Sequence, residues 1–461
     1  MSSKPSSQSG HALVIGSSMA GLLATRVLSD YFAQVTLLER DPVQDRPESR
    51  KGQPQTRHLH GLLERGRSII NRLFPGIIQA LVDGGAFTGD MGETMRWYHF
   101  DGYKVQFTCG LKSVHMSRPF LEWNIRRRVL ARPNVTLIPL CRAEQLTTTP
   151  DRSRVTGVEV TYYEDGKRVD RIAADLVVDA TGRGSASPKW LQAMGYERPA
   201  EKKVKVNIGY ATRTYRRRPG DLVGAELIMI VGTPPHCNRG AYMFPIEGDR
   251  WMLTAAGFRQ QRPPADEAGF YEYIRNLPAP DAFNIIRHAE PLSDIVTHNF
   301  PSNLRRQYEK LTRFPEGYLV IGDAVGSFNP IYGQGMSSSA MQADLLDQIL
   351  SQRSHHHGLW QPYFKAIGKL IDIPWQLAVG EDFRYPETEG PKPFATDQVN
   401  AYVARVHKAT HHDPVVYDQF LKVMNLIAPA ASLMHPRIAW RVLDRRRSRT
   451  KAVPHWAPTN P

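Results

Sequence analysis

The segment from Gly317 to Ile349 limits the fold more than any other part of the sequence. It reads Gly-Tyr-Leu-Val-Ile-Gly-Asp-Ala, then Val-Gly-Ser-Phe-Asn-Pro-Ile-Tyr-Gly-Gln-Gly-Met-Ser, and continues as a mixed polar and apolar run. Tyr318 to Ile321 is a short apolar run of strand type, Gly322-Asp323 ends it, and a loop rich in Gly and Pro leads to a helix beginning near Met336. A helix that starts there presents unpaired N–H groups and a partial positive charge. Gly333 and Gly335 leave no side chain to keep a flat ligand away from them. An anion, or a ring that becomes anionic, suits that place. Asp323, at the strand end, can accept a hydrogen bond from a sugar-like hydroxyl.

A second strand, turn and helix stand at the other end of the chain. His11 to Ile15 is strand-like, Gly16-Ser-Ser-Met-Ala-Gly21 follows, and Leu22 to Leu28 continues as a helix. Val35 to Leu38 is the next strand and ends in Glu39-Arg40. Glu39 lies 23 residues beyond Gly16, close to the roughly 20-residue offset at which an acid reaches the ribose of a bound dinucleotide. The helix start would hold a pyrophosphate. Ser18 replaces the second glycine of the G-x-G-x-x-G pattern, so it either displaces the phosphate slightly or donates its hydroxyl to it. A third buried-type strand, Asp175-Leu-Val-Val-Asp-Ala-Thr-Gly182, again ends in an acid and a glycine. In an open α/β sheet, ligands gather at the carboxyl ends of strands, so three such ends fit one site built from distant segments.

Between these pieces lies material of β type. Lys203 to Tyr215 alternates, with Val204, Val206, Ile208 and Tyr210 on one face, and Leu227 to Val231, Ala241 to Pro245 and Trp251 to Ala255 add strands. Asp165-Gly166 is a hairpin turn signal between Val155–Tyr163 and Arg168–Ala173. Leu62 to Leu81 is helical in pattern, as are Trp360 to Ile371, Trp375 to Phe383 and Tyr417 to Ile427; Tyr385 to Thr396 is a linker. Met95 to Val105 is aromatic-rich, which suits both the face of a small sheet and the wall of an apolar pocket. His58 and His60 follow the second strand with no Cys or carboxylate nearby, so polar contacts to a ligand or to their own loop are expected and a metal is not.

The expected organisation is α/β: a tail over 1–10, a dinucleotide domain from 11–75, 112–190 and 315–352, an inserted, mainly antiparallel sheet domain from 76–111 and 200–310, and a helical extension over 355–461. The net charge is +14 over 461 residues, and from Ala431 onward seven basic residues face Asp444 alone, which supplies a net six of it. With no nucleic-acid motif beside the basic runs, nucleic acid is excluded. The basic C-terminus suits a weak peripheral contact with anionic lipid. Three scattered cysteines, Cys109, Cys141 and Cys237, give no disulfide framework. With no apolar leader and no long apolar run, a cytoplasmic protein is expected.

Gly16 to Gly21 with Glu39, Asp179-Ala-Thr-Gly182, and Gly322-Asp323 through Pro330, Gly333 and Gly335 resemble the three fingerprints of class A flavoprotein monooxygenases, the group of para-hydroxybenzoate hydroxylase. Arg50-Lys-Gly-Gln-Pro-Gln-Thr-Arg-His-Leu-His60, Asp179 to Ser185, Tyr210-Ala-Thr-Arg213, Pro245-Ile-Glu-Gly248 and Phe328 to Ser337 resemble the bacterial polyether epoxidases of the monensin and lasalocid type. The likeness spans Gly10 to about Val379.

The resemblance implies a Rossmann-like FAD-binding domain of glutathione reductase type, and assigns roles by position. Glu39 would hold the adenosine ribose, and Gly16, Ser18 and Arg118 the pyrophosphate, with Gly21 and Arg40 also among the cofactor-binding residues. Asp179 would stand near the pyrophosphate. Gly322 and Asp323 would hold the ribityl chain. Arg50, Gly52 and Gln53, with Pro330, Gly333, Gly335 and Met336, would line the isoalloxazine. The activity implied is monooxygenation: NAD(P)H, directly or through a flavin reductase, and O2 generate a flavin C4a-hydroperoxide that passes one oxygen atom to a hydrophobic natural-product intermediate. Alkene epoxidation is placed ahead of aromatic hydroxylation or prenyl-chain reduction, with a non-enzymatic binding module a more distant alternative. The flavin carries the chemistry, with Arg50, His58 and His60 as the candidate catalytic side chains. Met95, Trp97, Phe107, Tyr210, Met229, Met243, Trp251 and Phe328 are the candidate pocket residues. The Trp-x-Trp-x-Ile-Pro signature of flavin-dependent halogenases is missing, since Glu122-Trp-Asn-Ile-Arg126 does not match it.

Overall fold

The computed structural model describes residues 9–164, 166–353 and 357–444. Most of the expected N-terminal tail, Asp165 of the hairpin turn and the basic run Arg445 to Lys451 lie outside them. Five parallel strands form the first sheet, in the order Tyr318–Val320, Leu176–Asp179, His11–Ile15, Gln34–Leu38 and Val135–Ile138. Their near-continuous apolar runs follow from cover on both faces: Leu13, Val14, Val177, Val178 and Val320 are all fully buried. A three-stranded sheet, Cys141–Thr148, Val155–Tyr162 and Arg168–Ala173, joins the same core through Val155, Val158 and Val160.

The two glycine turns come from opposite ends of the chain and meet. The helices that follow them, Met19–Leu28 and Gly335–Ser351, pack together, and Tyr31 donates its hydroxyl to Asp347 at 2.8 Å. A glycine closes the first turn on itself and another admits the second turn beside it. A Cβ on Gly21 would stand 1.7 Å from the carbonyl oxygen of Gly16, and one on Gly322, whose φ is +72, would stand 2.5 Å from the Cβ of Ala20.

The second sheet has seven strands in the order Gly326–Ser327, Val296–Arg306, Glu201–Arg216, Arg250–Phe258, Arg239–Ile246, Leu227–Val231 and Met95–Tyr98. All neighbours are antiparallel except the last pair. The helices Glu267–Arg275 and Asp281–Ile286 cover one face with a core of their own that holds Tyr215, Met243, Trp251 and Phe270. At the C-terminal end, Thr396–Ala409, Pro414–Met424 and Pro436–Leu443 form a helical layer whose core includes Met91 and Trp97.

Four local expectations need correction. The helix over Leu62 to Leu81 is two, Glu64–Leu73 and Ile77–Asp83, because Phe74 precedes Pro75 and Gly76 has a φ of +80. Conversely, Trp360–Asp382 is one helix with Pro374 inside it. The alternation of Lys203 to Tyr215 is broken by a bulge between Lys205 and Ile208. The boundary at 112 falls within a pair of strands, since Lys112–His115 pairs with Phe87–Asp90. No helix among the described residues is long and apolar enough to cross a membrane.

Candidate functional site

One cavity of about 1480 Å³ opens at the carboxyl ends of the parallel strands and extends beneath the second sheet to the C-terminal helices. Pockets for one small ligand run to roughly 300–1,000 Å³, so this one has room for two molecules. Gly16, Ser18, Glu39, Arg40, Gly52, Gln53 and Arg118 line it, as do Asp323, Pro330, Gly333, Gly335 and Met336. Sequence reasoning thus drew together segments that the fold does bring to one wall.

Glu39 accepts from the N–H and hydroxyl of Ser17 at 3.0 and 2.7 Å and from the N–H of Asp41 at 3.0 Å. Burial works against its charge, but the Arg50 guanidinium and these donors together hold its carboxyl below the usual range. Arg118 donates to the Ser18 hydroxyl at 3.0 Å and to Glu122 at 3.3 Å, while its Nε, buried, has no partner among the described residues. The hydroxyl that replaces the second turn glycine is therefore held by an arginine that reaches the same wall. Neither helix start, at Ser18 nor at Gln334, carries a side-chain cap, and Gln334 Oε1 is buried without a partner among the described residues. A Cβ on Gly335 would meet only open space.

Several expected roles change. Arg50 does not reach the cavity wall. Its guanidinium lies between two buried carboxylates, 2.7 Å from Glu39 and 2.6 Å from Glu122, and donates to the Ser17 carbonyl at 3.0 Å, so it holds two acids in place instead of facing the cavity. Asp179 is fully buried and engaged by its own loop: Thr181 donates from N–H and hydroxyl at 2.8 and 2.6 Å, Ser185 donates at 2.5 Å, and Ser187 donates as well. Gly21 and Gly322 do not line the cavity: the first lets its own turn close on Gly16, and the second lets its turn pass Ala20.

His58 and His60 do line the cavity. His58 Nδ1 lies 2.7 Å from the Thr212 hydroxyl, and His60 donates from Nδ1 to the His58 carbonyl at 2.9 Å. Burial pushes them down to about 4 and about 3, so both rings are neutral near pH 7 and poor proton acceptors. Tyr210 donates to Asn329 at 2.9 Å and so braces the loop that carries Pro330.

Of the expected pocket residues, Met95, Trp97, Tyr210, Met229 and Phe328 line the cavity. Met243 and Trp251 do not. They point to the opposite face of the second sheet, into the core under the two covering helices, while Tyr242 and Phe244, on either side of Met243 in its strand, face the cavity, as the period of two requires. Phe107 packs on Tyr417 at 5.5 Å instead. Sequence reasoning missed Arg183, which lines the cavity and donates to the carbonyl and hydroxyl of Ser302 at 2.6 and 2.7 Å. It leaves the chain after Ile349 either to cap the pocket or to form a subunit contact, and does not name its cavity residues, Leu377, Glu381, Tyr402, His407 and Phe420. No local pattern marks them: Leu377 and Glu381 lie in the helix before the linker, and Tyr402, His407 and Phe420 in helices after it.

No protein-family model matches the chain. Protein Rv3254 of Mycobacterium tuberculosis (strain ATCC 25618 / H37Rv) is 35% identical over 441 residues, covering 90% of each chain. Among solved structures, the flavin-dependent brominase Bmp2 aligns with a TM-score of 0.63 at 14% identity, over 90% of this chain and 93% of that one. PqsL of Pseudomonas aeruginosa, described as a probable FAD-dependent monooxygenase, aligns at 0.59 and 16% identity, over 81% and 97%. At such identities the likeness is one of fold: a parallel Rossmann-like sheet, an added antiparallel sheet and a helical C-terminus.

Proposed function

We propose that this chain, which belongs to the same family as Protein Rv3254, is an FAD-dependent monooxygenase that adds one oxygen atom to an electron-rich double bond of a hydrophobic molecule. The observation that carries the reading is the continuity of the cavity, from the wall of Gly16, Glu39 and Arg118, past Asp323 and Gly335, to an apolar region lined by Met95, Met229 and Phe244. The fold is that of flavoproteins, and the residues present fit the cofactor. Two uncapped helix starts face places where negative charge would lie. Arg118 Nε and Gln334 Oε1 are buried polar atoms in want of a partner among the described residues, and the open space at Gly335 admits a flat ring.

Bound there, FAD would supply, from NAD(P)H and O2, an electrophilic oxygen atom. The protein's part is placement. Glu39 would take the ribose hydroxyls, Ser18 and Arg118 the pyrophosphate, and Asp323 the ribityl chain, while the start of Gly335–Ser351 would stabilise negative charge on the ring. The apolar wall would orient the substrate and keep water out. A phenol hydroxylase gains from a base that takes the phenolic proton. His58, His60 and His115, all on the wall, are held at about 4, 3 and 4 by burial, which favours epoxidation of the polyether-epoxidase kind.

The test is product analysis by mass spectrometry after supplying NADPH, with and without a flavin reductase, O2 and a panel of polyenes, terpenoids and phenols. Gain of a single oxygen atom, retained on the alkenes, is the expected result. A protein that stays colourless after reconstitution with FAD, or one that reduces double bonds instead, would overturn the reading.

A further inference from the structure

At the end of the cavity walled by the C-terminal helices, the apolar lining gives way to a polar corner. Trp97 and His99 come from the edge strand of the second sheet and the turn after it, and His407 from the helix Thr396–Ala409; all three line the cavity. The rings of His99 and His407 stand edge to face, 4.5 Å apart between centroids. Trp97 and His99 are each 6% exposed, yet neither the indole Nε1 nor either imidazole nitrogen of His99 has a hydrogen-bond partner among the described residues. A buried polar group left unpaired costs roughly 1–3 kcal/mol, so three such atoms in one corner call for a partner there, whether water, ion or ligand.

Behind the corner lies Lys104, 2% exposed. Its amine donates to the Thr410 hydroxyl at 2.7 Å and approaches His407 Nδ1 at 3.3 Å, and it sits 4.7 Å from the ring centre of Trp97 and 4.9 Å from that of Phe420. An amine that donates to Nδ1 fixes His407 as the tautomer with its proton on Nε2. Burial holds both His99 and His407 well below the usual histidine range, so each is a neutral ring with one N–H to give. The other charges nearby are Glu381 and Arg384, which pair with each other in a double contact of 2.7 and 3.0 Å, and the neutral His411, which donates to the His99 carbonyl at 2.9 Å. Burial pulls the Lys104 amine down to about 7, so near pH 7 it is poised between its neutral and charged forms, and a carboxylate seated in the corner would draw it to the charged one. With that anion in place the corner offers one positive charge and up to three N–H donors, with an apolar cavity in front.

We propose that the corner formed by Trp97, His99 and His407 binds the carboxylate of an otherwise apolar substrate, with Lys104 as its counter-charge. One positive charge matches a monoanion and leaves a phosphate half uncompensated. The assignment deepens the oxygenase reading and relies on it for what befalls the ligand's far end: the carboxylate would fix one end of a long molecule and so set which double bond meets the ring.

The experiment is isothermal titration of the purified protein with decanoate, decan-1-ol and methyl decanoate, with flavin occupancy read by absorbance in the same samples. Decanoate is expected to bind at least tenfold more tightly than the alcohol or the ester, and Lys104→Met and His407→Phe to remove most of that preference while leaving alcohol affinity and flavin occupancy unchanged. A role confined to packing would not alter selectivity between acid and alcohol. Equal affinities, no saturable binding of decanoate, or a preference that survives in either variant that folds would overturn the proposal. Acid preference in a protein that takes up no flavin would uphold the carboxylate site and sink the oxygenase; a flavin-loaded protein without the preference would do the reverse.

Discussion

Asn329 donates from Nδ2 to Asp382 Oδ1 at 2.8 Å, which ties the loop of Pro330, Gly333 and Gly335 to the helix Trp360–Asp382. Asp382 is fully buried and also accepts from Asn303 at 2.6 Å and from Tyr332 at 2.8 Å. Burial pushes its carboxyl up to about 6, against the pull of these three donors. The extension after the parallel-sheet domain is thus fastened to the cavity loop through a buried acid. Replacing Asn329 by Ala removes a donor to that acid and leaves the Tyr210 hydroxyl without its acceptor. A loss of about 2–4 kcal/mol in urea unfolding is expected, against about 1 kcal/mol for Tyr210→Phe. Equal losses would show that Asn329 is not the hub of this network.

Arg50 offers a similar test on the opposite wall. It neutralises Glu39 and Glu122 at once, so Arg50→Ala leaves two buried carboxylates short of a cation. The expected cost is about 3–5 kcal/mol of stability, the range for breaking a buried pair from one side. An Arg50→Ala protein as stable as the parent but without activity would restore Arg50 as a catalytic group.

Asp323→Ala should yield protein that purifies without flavin, because loss of a charge-assisted hydrogen bond worth about 1.5–3 kcal/mol weakens binding by roughly 10- to 100-fold. Ser18→Gly should keep its flavin, since Arg118 stays on the same wall and remains paired with Glu122. Absorbance of flavin per mole of protein decides both. Full occupancy in Asp323→Ala would refute the ribityl assignment.

What was legible in the sequence follows from range. Strands buried on both faces read as continuous apolar runs, and turns that forbid a Cβ read as glycine, so the parallel sheet and the convergence of the two glycine turns were anticipated from local pattern. Pocket residues on the second sheet were not so legible, because an apolar strand face looks the same whether it meets a cavity or a helix: Met229 falls on one side and Met243 and Trp251 on the other. Arg50 was misplaced because its partner Glu122 lies 72 positions away. Of the corner, the aromatic stretch Met95 to Val105 carried a signal as a candidate pocket wall, but the pairing of His99 with His407 carried none, since the two are brought together only by the C-terminal helices.

The buried histidines make stability depend on pH in a definite sense. His115, with no hydrogen-bond partner for either ring nitrogen among the described residues, is pushed by burial from 6.5 down to about 4, and His58 and His411 also fall to about 4. For each, the unfolded chain takes up a proton below about pH 6.5 while the folded chain does not until about pH 4. The stability tied to the neutral ring is therefore whole above pH 6.5 and is lost as the pH falls toward 4. For His115 alone the loss between pH 7 and pH 4.5 comes to roughly 2–3 kcal/mol. His115→Phe, which keeps an edge-to-face ring against Phe244, should flatten the acid arm of the stability curve by that amount and leave stability at pH 7 nearly unchanged. Urea unfolding at the two pH values measures it, and a variant whose stability falls as steeply as the parent's would show that His115 is already charged in the folded protein.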